Sequence, residues 1–391
     1  MKKILFISYD FPYPTNTGGK NRAYNLLKYA NKDLVIHLAS FIRDDFKKEN
    51  QDKIREIGVK TISLLKRRKL KDIRNIQALI SSKHSIFHFL YYDKRIEEEI
   101  LNIIRSLNID IVHFESYYTS FYMSQKIKKI GAKQIFGTEN IEHFLYKDYA
   151  KKSNWLKRLI FIREIKKIEN EEKSFMKHSD KNLAVTNDEA KYIEMVCGKK
   201  SEIVPNGIDL KSFIYKSPSK KVSNLLLFIG NFTYFPNIDA INYFYDNIFT
   251  KLDKNVKLLI IGKNAEQLNM SKDDRVETIP FIQDIKEAYK RADIMVSPVR
   301  IGGGTNFKIL EAMAYGIPIV ADPARVDSLG VQDGHEILLA RTPLEYQQKI
   351  DLLLKDLNLR KKLSKNARQL IEKDYSWEKI GHNLNLIWRN L

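Results

Sequence analysis

The chain has 391 residues, of which 43% are hydrophobic, and it carries 67 lysines and arginines against 48 aspartates and glutamates. This length and apolar content suit two globular domains of ordinary size and exclude wholesale disorder. The longest apolar runs reach only the length of a strand, which excludes membrane-spanning segments. The net charge of +19 indicates a polyanionic partner: nucleic acid, anionic lipid or a diphosphate-bearing substrate.

The first residues and the single cysteine bear on the cellular compartment. The start, MKKILFISYD, meets Asp10 and has no small-residue cleavage site, so it predicts a first strand instead of a signal peptide. Cys197 is the only cysteine, which excludes an internal disulfide and fits a reducing cytosol. No Cys/His cluster has the spacing of a zinc site. We therefore expect a cytoplasmic protein without a bound metal.

Short apolar runs alternate with amphipathic segments of helix length along the whole chain, which is typical of parallel α/β layers. The first half is predicted to contain strands at 4–8, 34–39, 61–64, 111–114, 133–136 and 182–185. The second half is predicted to contain strands at 225–229, 257–261, 276–279, 294–297, 317–321 and 337–340. Segment 204–224 is rich in Pro, Gly, Ser, Asn and Lys, which predicts a linker between two domains.

A proline and glycine segment follows the first predicted strand. Pro12 and Pro14 keep the chain extended before Gly18 and Gly19, and a helix is expected from about Lys20. A strand, a glycine loop and a helix start form an anion site, because unpaired backbone N–H groups point into the loop. We interpret this segment as a binding loop, with an ordinary turn between strand and helix as the alternative.

Polar side chains follow two later strands, in segments 109–120 and 134–146, where open α/β sheets bind ligands. Glu139, Asn140 and Glu142 could contact a ligand there, or Asn140 could simply cap a helix. His113 and His143 have a catalytic and a structural interpretation, and both stay open.

Basic residues are densest at 66–74 and 151–167. The second segment interleaves Trp, Leu, Ile and Phe with its cations, which favours a helix lying on an anionic membrane surface. A helix with a buried apolar face and a solvated basic face is the alternative interpretation.

The segment IGGGTNFKILEAMAYGIPIV, at 301–320, carries the strongest functional signal. Gly302, Gly303, Gly304, Thr305 and Asn306 precede a helix pattern that stops at a glycine. Glycines let a backbone approach a ligand, Thr or Asn is a natural N-cap, and the helix start attracts phosphate.

Lys308 and Glu311 share a face of this predicted helix near its start, and Gly316 fits the position just beyond its end. There a cation can meet phosphate and a carboxylate can accept from sugar hydroxyls. The spacing is that of neither a Walker A loop nor the dinucleotide fingerprint. The segment therefore predicts a nucleotide-diphosphate site, with a plain turn as the alternative.

These motifs resemble the retaining glycosyltransferases of family 4, in the subfamily with a GGGTxxKxxEAxAxGxP donor motif. The resemblance rests on 301–320, on the phrase from Gly230 to Ala240, on the PYPTNTGG loop and on YSWE near the end, and it covers nearly the whole chain. It implies an α/β fold of the GT-B type, with two Rossmann-like domains facing each other across a cleft. The implied domains are an acceptor-side domain at 1–205, a nucleotide-sugar domain at 206–375 and a helix at 376–391 that returns to the first domain.

The resemblance also assigns donor-binding roles. Gly18 and Gly19 would approach the donor diphosphate, and Gly230 with Asn231 would lie near its β-phosphate. The backbone around Phe281 and Ile282 would bind the base. Glu311 would hold the ribose hydroxyls.

This chain departs from the family at three positions. It has no Arg or Lys between Gly230 and Asp239, so the cations for the diphosphate are expected from Arg300 and Lys308. Gly303 replaces a partner glutamate, so recognition of the sugar would rest on loop amides, Thr305 and Asn306. Glu139 stands where histidine is frequent, and by the resemblance it would contact the transferred sugar or the acceptor hydroxyl together with Asn140 and Glu142.

The implied reaction moves a sugar from a nucleotide-diphosphate-sugar to an acceptor hydroxyl, with retention, and needs no metal or cofactor. Glu139, Arg300 and Lys308 would be its catalytic residues. We expect a lipid-linked or glycan acceptor in cell-surface polysaccharide or glycolipid synthesis, with the protein at the inner face of the membrane. A nucleotide-sugar 2-epimerase of the same fold is one alternative. A basic nucleic-acid-binding protein is another, but it leaves the glycine loops unexplained, so no nucleic acid is expected.

Overall fold

The computed structural model describes residues 1–30, 33–44, 46–66, 81–151, 155–220, 222–300 and 307–391. The chain divides into two compact units: an N-terminal unit of residues 1–206 and 377–391, and a C-terminal unit of residues 207–376. None of the helices in these ranges is both long enough and apolar enough to span a bilayer.

The described part of the N-terminal unit is built on a parallel sheet. Its strands β1 to β7 are Lys3–Ser8, Val35–Ile42, Thr61–Lys66, Ile111–Glu115, Lys133–Gly137, Lys181–Ala184 and Glu202–Ile203. Its helices α1 to α8 are Gly18–Lys28, Asn50–Glu56, Ile86–Tyr91, Lys94–Leu107, Gln125–Ile130, Glu142–Lys151, Trp155–His178 and Asn187–Cys197. The strand order is β3-β2-β1-β4-β5-β6-β7.

The described part of the C-terminal unit repeats this architecture. Its strands β8 to β13 are Leu225–Ile229, Lys257–Ile261, Val276–Ile279, Ile294–Ser297, Ile319–Ala321 and Leu338–Leu339. Its helices α9 to α13 are Phe235–Asn247, Ile285–Arg291, Phe307–Tyr315, Pro343–Lys355 and Leu357–Asp374. The strands are parallel, in the order β10-β9-β8-β11-β12-β13.

Strand β8 shows why these strands are apolar at every position. Leu225 and Leu227 pack into the hydrophobic cluster on one face of the sheet, and Leu226 and Phe228 pack into the cluster on the other. Successive side chains of a strand point to opposite faces, and a parallel sheet has helices on both. The continuous apolar run is therefore what a central parallel strand requires.

The last helix, α14 (Trp377–Asn390), belongs to the N-terminal unit. Trp388 is fully buried there, and its indole N–H donates to His113 Nδ1 at 3.2 Å. Asn385 donates to the carbonyl oxygen of Tyr29 at 2.9 Å. Tyr29 also lies so close to Gly381 that a Cβ at that position would overlap it. The expected return of the C-terminal helix to the first domain is confirmed.

All twelve predicted strands are present, with small differences at their ends. The sequence analysis missed β7, because two residues are too few to show a hydrophobic period.

Candidate functional site

In each sheet the strand order reverses beside the first strand of the unit, between β1 and β4 and between β8 and β11. Open parallel sheets bind ligands beyond the carboxyl ends of the strands that flank such a switch point. Gly18 and Gly19 follow β1, and Gly230 follows β8. The topology therefore places both predicted glycine sites where this fold binds ligands.

Gly230 lies where two backbone segments touch. Its N–H donates to the carbonyl oxygen of Ile261 at 2.9 Å. Gly262 has a φ of +141°, and a Cβ added to it would overlap the Gly230 carbonyl group. A Cβ on Gly230 itself would lie 3.1 Å from the side chain of Asn237. The sequence analysis missed Gly262, although a glycine directly after the apolar run LLII is a signal of close approach.

Asn231 shapes the loop after Gly230. Its side-chain oxygen accepts from the N–H of Thr233 at 3.0 Å and from the Thr233 hydroxyl at 2.8 Å. Its carbonyl oxygen accepts from the side-chain amide of Asn237 at 2.9 Å. These bonds fix the turn between β8 and α9. Asn231 therefore contributes to the site by holding the backbone of this loop in place.

Lys308, in the first turn of α11, lies against the end of β8. Its ammonium group donates to the carbonyl oxygen of Ile229 at 2.7 Å and to Asn237 Oδ1 at 3.3 Å. It also lies 4.9 Å from the ring centroid of Phe228. The predicted cation is thus adjacent to the predicted glycine, Gly230.

Arg300 follows β11 but points toward α9. Its guanidinium forms an ion pair with Asp239 at 3.2 Å and lies 3.8 Å from the ring centroid of Tyr243. The side chain is 38% exposed. The charge of Arg300 is therefore shared with a carboxylate at the surface of the unit.

Glu311 is one turn farther along α11 and accepts a hydrogen bond from the hydroxyl of Tyr289, at 2.9 Å. Burial raises the pKa of Glu311 to about 7, and the bond from Tyr289 acts in the opposite direction. The Tyr289 oxygen also lies 3.3 Å from the carbonyl oxygen of Lys308. Tyr289, which the sequence analysis did not single out, therefore fixes the start of α11.

Phe281 and Ile282 follow β10, at the carboxyl edge of the same sheet. Phe281 is 79% exposed, whereas Ile282 packs against the core below. An aromatic side chain that is so exposed fits a segment that contacts a ligand, and its role stays a prediction.

The glycine run itself, Gly302, Gly303, Gly304, Thr305 and Asn306, lies outside the described residues. The helix predicted after it is present, and it ends where expected. Gly316 follows with a φ of +101°, and the N–H groups of Gly316 and Ile317 donate to the carbonyl oxygen of Ala312. Such a left-handed residue after a helix favours glycine, so this part of the motif is confirmed.

In the N-terminal unit, α1 begins at Gly18, and the predicted start near Lys20 is wrong. Thr17 caps the helix by accepting from the N–H of Lys20 at 3.4 Å. Gly18 and Gly19 therefore form the first turn, whose N–H groups have no carbonyl partner within the helix. The pair still presents backbone donors and a positive helix end to an anion.

Gly19 lies directly against two side chains from other elements. A Cβ at this position would overlap the Tyr9 hydroxyl and lie 2.9 and 3.0 Å from the two carboxylate oxygens of Glu139. Burial raises the pKa of Glu139 to about 8, the charge of Glu115 acts in the same direction, and Arg22 acts against both. The structure brings Gly19 and Glu139 together and adds Tyr9, which the sequence analysis missed.

A buried chain of hydrogen bonds runs behind this site. His113 Nε2 donates to Glu115 at 2.8 Å, and Glu115 accepts from Arg22 Nε at 2.6 Å. Arg22 also donates to the carbonyl oxygens of Val204 and Pro205, at 2.8 and 3.1 Å. His113 therefore has a structural role, because its two ring nitrogens join Trp388 of α14 to Glu115.

Glu142 and His143 begin α6, and a carboxylate from α7 caps that helix. Glu172 accepts from the backbone N–H of Glu142 at 2.7 Å and from that of His143 at 3.1 Å. The imidazole of His143 donates to the same carboxylate, and burial lowers the pKa of His143 to about 4. Asn140 Oδ1 has no hydrogen-bond partner among the described residues. The proposed cap by Asn140 is therefore wrong, because Glu172 occupies that role.

One group in the described chain has a ligand set that could suit a metal. The side chains of His84, His88 and Glu171 place ligand atoms within 4.8 Å of one another. Both oxygens of Glu171 already accept hydrogen bonds, from the N–H of Ser85 and from the hydroxyl of Tyr117. The group lies outside both switch points and is given no part in the proposed reaction.

The arrangement in the C-terminal unit combines groups whose chemistry suits the phosphate and sugar parts of a nucleotide. A glycine, a cation and the start of a helix lie at one switch point, and a carboxylate lies one turn away. Residues 18–212 of the chain match the family described as glycosyltransferase family 4, and residues 223–356 match glycosyl transferases group 1. The two matches together cover most of the chain.

One curated relative and several solved structures match the chain over nearly its whole length. An uncharacterized 44.6 kDa protein in the cps region of Klebsiella pneumoniae is 23% identical over 97% of this chain and 98% of its own length. The structure resembles sucrose-phosphate synthase from Thermosynechococcus elongatus, with a TM-score of 0.72, 16% identity and coverage of 100% and 99% of the two chains. It also resembles HepE of Anabaena, solved with UDP and glucose, with a TM-score of 0.69, 12% identity and full coverage of both chains. The two parallel-sheet units and these neighbours show the GT-B fold. The two family matches show that the chain belongs to the glycosyltransferases.

Proposed function

We propose that this glycosyltransferase moves a sugar from a nucleotide-diphosphate-sugar to an acceptor hydroxyl, with retention of the anomeric configuration. One observation carries the proposal. At the switch point of the C-terminal sheet, the ammonium group of Lys308 donates to the residue before Gly230, and Glu311 lies one turn farther along the same helix. Lys308 and Glu311 are separated by about one helical turn, roughly 5 Å. The diphosphate and the ribose of a single nucleotide can therefore contact the two residues at once.

In this proposal Lys308 and the start of α11 stabilise the negative charge that develops on the departing diphosphate. A preorganised cation is most effective where charge grows in the transition state. Arg300 is a second cation, but it contributes less to this stabilisation because its ion pair with Asp239 already offsets part of its charge. These groups supply the charge that a metal ion supplies elsewhere, so the proposed reaction needs no metal.

The nucleoside part of the donor is assigned to the same edge of the sheet. Glu311 would accept from the ribose hydroxyls, and the backbone at Phe281 and Ile282 would contact the base. The solved complex of HepE with UDP and glucose supports a nucleotide-sugar donor for this fold.

The N-terminal unit is proposed to handle the acceptor. Glu139 lies beside the first turn of α1, and burial holds its pKa near 8, so it can exchange a proton with a hydroxyl near neutral pH. The relative in a cps region supports a role in cell-surface polysaccharide or glycolipid synthesis. A lipid-linked or glycan acceptor at the inner face of the membrane would also match the net charge of +19.

The test is a donor screen. The protein is incubated with a panel of nucleotide-sugars and with lipid-linked or oligosaccharide acceptors, and products are identified by mass spectrometry and anomeric NMR. We expect one donor to give a glycosylated acceptor with the donor's anomeric configuration. An isomerised nucleotide-sugar formed without acceptor would instead indicate a 2-epimerase. Retention on DNA, together with no thermal shift by any nucleotide, would indicate a nucleic-acid-binding protein.

A further inference from the structure

A cavity of about 340 Å³ lies within the C-terminal unit, at the amino ends of the strands, whereas the candidate donor site lies at their carboxyl ends. It is lined by Ser223, which precedes β8, by Asp293, which precedes β11, and by Gly316 to Pro318, which precede β12. The donor site lies beyond the carboxyl ends of these strands, so the cavity at their amino ends is a separate site. Its volume is that of pockets that hold small molecules.

The cavity contains a buried cation with no carboxylate partner. Arg360 is 2% exposed, and its guanidinium donates to the carbonyl oxygens of Ser219, Leu353 and Leu354. Among the described residues no carboxylate lies at ion-pair distance from it. The carboxylates of Asp293 and Asp356 act on its charge only from beyond that distance. The buried guanidinium can therefore still attract an anion.

Three further cations line the cavity. The side chain of Lys216 forms no hydrogen bond or ion pair with the described residues, whereas Lys290 and Arg291 form ion pairs with surface glutamates. Such exposed pairs are weak and can exchange for a ligand. Lys216 and Arg360 are thus the cations most available to an anion.

The one carboxylate among the described lining residues does not cancel this charge. Asp293 accepts from the N–H and the hydroxyl of Ser223, both at 2.8 Å, and from the N–H of Leu225 at 3.1 Å. These bonds hold the start of β8 to the start of β11, which gives Asp293 a structural role. The cavity as a whole is therefore cationic.

The remaining wall is apolar and aromatic. Tyr289 and Tyr315 have ring centroids 5.9 Å apart, and Ile317 and Pro318 continue the same lining. A ligand that fills the cavity needs both an anionic group for the cations and a carbon body for this wall. Inorganic phosphate satisfies only the first requirement.

We propose that this cavity binds a small organic phosphate and acts as an effector site for the donor site. Its effector role rests on the proposed function. Tyr289 connects the two sites, since it lines the cavity while its hydroxyl donates to Glu311 at 2.9 Å. Helix α11 makes a second connection, because it carries Glu311 at its middle and Tyr315, about one turn later, as its last residue. A ligand that shifts Tyr289 or Tyr315 changes the position of Glu311, and the effect on binding is reciprocal.

The experiment titrates the full-length protein by calorimetry with inorganic phosphate, a hexose monophosphate and a nucleoside monophosphate. We expect at least one organic phosphate to bind at least tenfold more tightly than inorganic phosphate. Lys216→Glu should weaken that binding at least tenfold. Lys254→Glu, the same change at an exposed site of the unit outside the cavity, should leave it unaltered.

A donor-site variant separates the two sites. Lys308→Ala should leave binding of the organic phosphate unaltered and weaken binding of a nucleoside diphosphate, and Lys216→Glu should do the reverse. Absence of binding by every phosphate, or equal binding by Lys216→Glu and the native protein, would overturn the proposed site. An affinity for nucleoside diphosphate that does not change when the organic phosphate is saturating would overturn its effector role.

Discussion

The carboxyl group of Glu311 must be ionised to accept hydrogen bonds from two ribose hydroxyls. Burial raises its pKa to about 7, so the protonated and ionised forms are both populated near neutral pH. The ionised form increases as the pH rises through 7. Donor binding should therefore tighten with increasing pH over this interval.

The first prediction is that Glu311→Gln weakens donor binding at pH 8 and removes its pH dependence between pH 6 and pH 8. Loss of a hydrogen bond to a charged group corresponds to roughly 1.5–3 kcal/mol, or about ten- to more than a hundredfold in affinity. Calorimetric titration of a nucleoside diphosphate at several pH values measures both effects. A Glu311→Gln variant that binds as tightly as the native protein, with the same pH profile, would contradict the ribose assignment.

Lys308 and Arg300 should differ in their effect on turnover. Lys308 lies at the end of β8, whereas Arg300 is paired with Asp239. We predict that Lys308→Ala lowers kcat by roughly 10²–10³, as for other groups that stabilise a leaving charge, and that Arg300→Ala lowers it less. Steady-state assays of both variants, with Lys254→Ala as the exposed control, give the comparison.

The same assays test the metal-free proposal. Activity of the native protein should persist in EDTA, and an added divalent ion should not restore Lys308→Ala. Strict dependence of the native protein on a divalent ion would refute the role given to these cations.

At the scale of elements, the segment between β5 and α6 is held by a residue far along the chain. Glu172, on α7, accepts from the first two N–H groups of α6 and from the imidazole of His143. This cap fixes the start of α6, three residues after Glu139. Its loss leaves buried donors without an acceptor.

We predict that Glu172→Gln destabilises the protein by about 1–3 kcal/mol, because the amide NH₂ group cannot accept from the α6 donors. Glu169→Gln provides a matched control on the same helix, since its partners are partly exposed lysines and such pairs contribute less than about 1 kcal/mol. Urea unfolding followed by tryptophan fluorescence compares the two variants. Equal stability of Glu172→Gln and Glu169→Gln would show that the cap contributes little.

The sequence predicts elements better than it predicts their long-range partners. Glycine and apolar patterns are local, so the strands and the end of α11 at Gly316 were predictable. The cap from Glu172 joins positions 30 residues apart, and no local pattern encodes it. Thr17, the cap of α1, is also a local signal for the start of that helix. The surrounding prolines and glycines indicate a loop more strongly, and the predicted helix start was therefore two residues too late.

For the whole molecule, the alternation of apolar runs and helical segments was sufficient to predict two parallel α/β units. The family motifs then predicted the return of α14, which composition alone does not show. Tyr9 and Tyr289 escaped prediction, because a tyrosine within an apolar segment has the same pattern whether it packs in a core or orients a carboxylate.

The net charge of +19 also acts at the scale of the whole molecule, and part of it lies beside exposed apolar groups. On α7, Ile162 is 53% exposed and is followed by the exposed Arg163. Phe144 on α6 is 43% exposed, with the ammonium group of Lys147 5.4 Å from its ring centroid. Exposed apolar groups beside cations suit the surface of an anionic membrane. The basic run at 66–74 lies outside the described residues after its first lysine.

The last prediction is that the protein sediments with liposomes containing anionic lipid at low salt, and much less with neutral liposomes. Each cation near such a surface contributes about 1 kcal/mol, which screening by salt removes. Reversing three charges on α7, by Lys157→Glu, Arg158→Glu and Arg163→Glu, should therefore weaken sedimentation strongly while donor hydrolysis continues. The matched control reverses three exposed lysines of the C-terminal unit, at positions 251, 254 and 257, and should bind liposomes nearly as the native protein does. Equal loss in both triple variants would mean that only net charge matters. No sedimentation at low salt would mean that the cations of α7 do not bind a membrane, and a soluble acceptor would then be favoured.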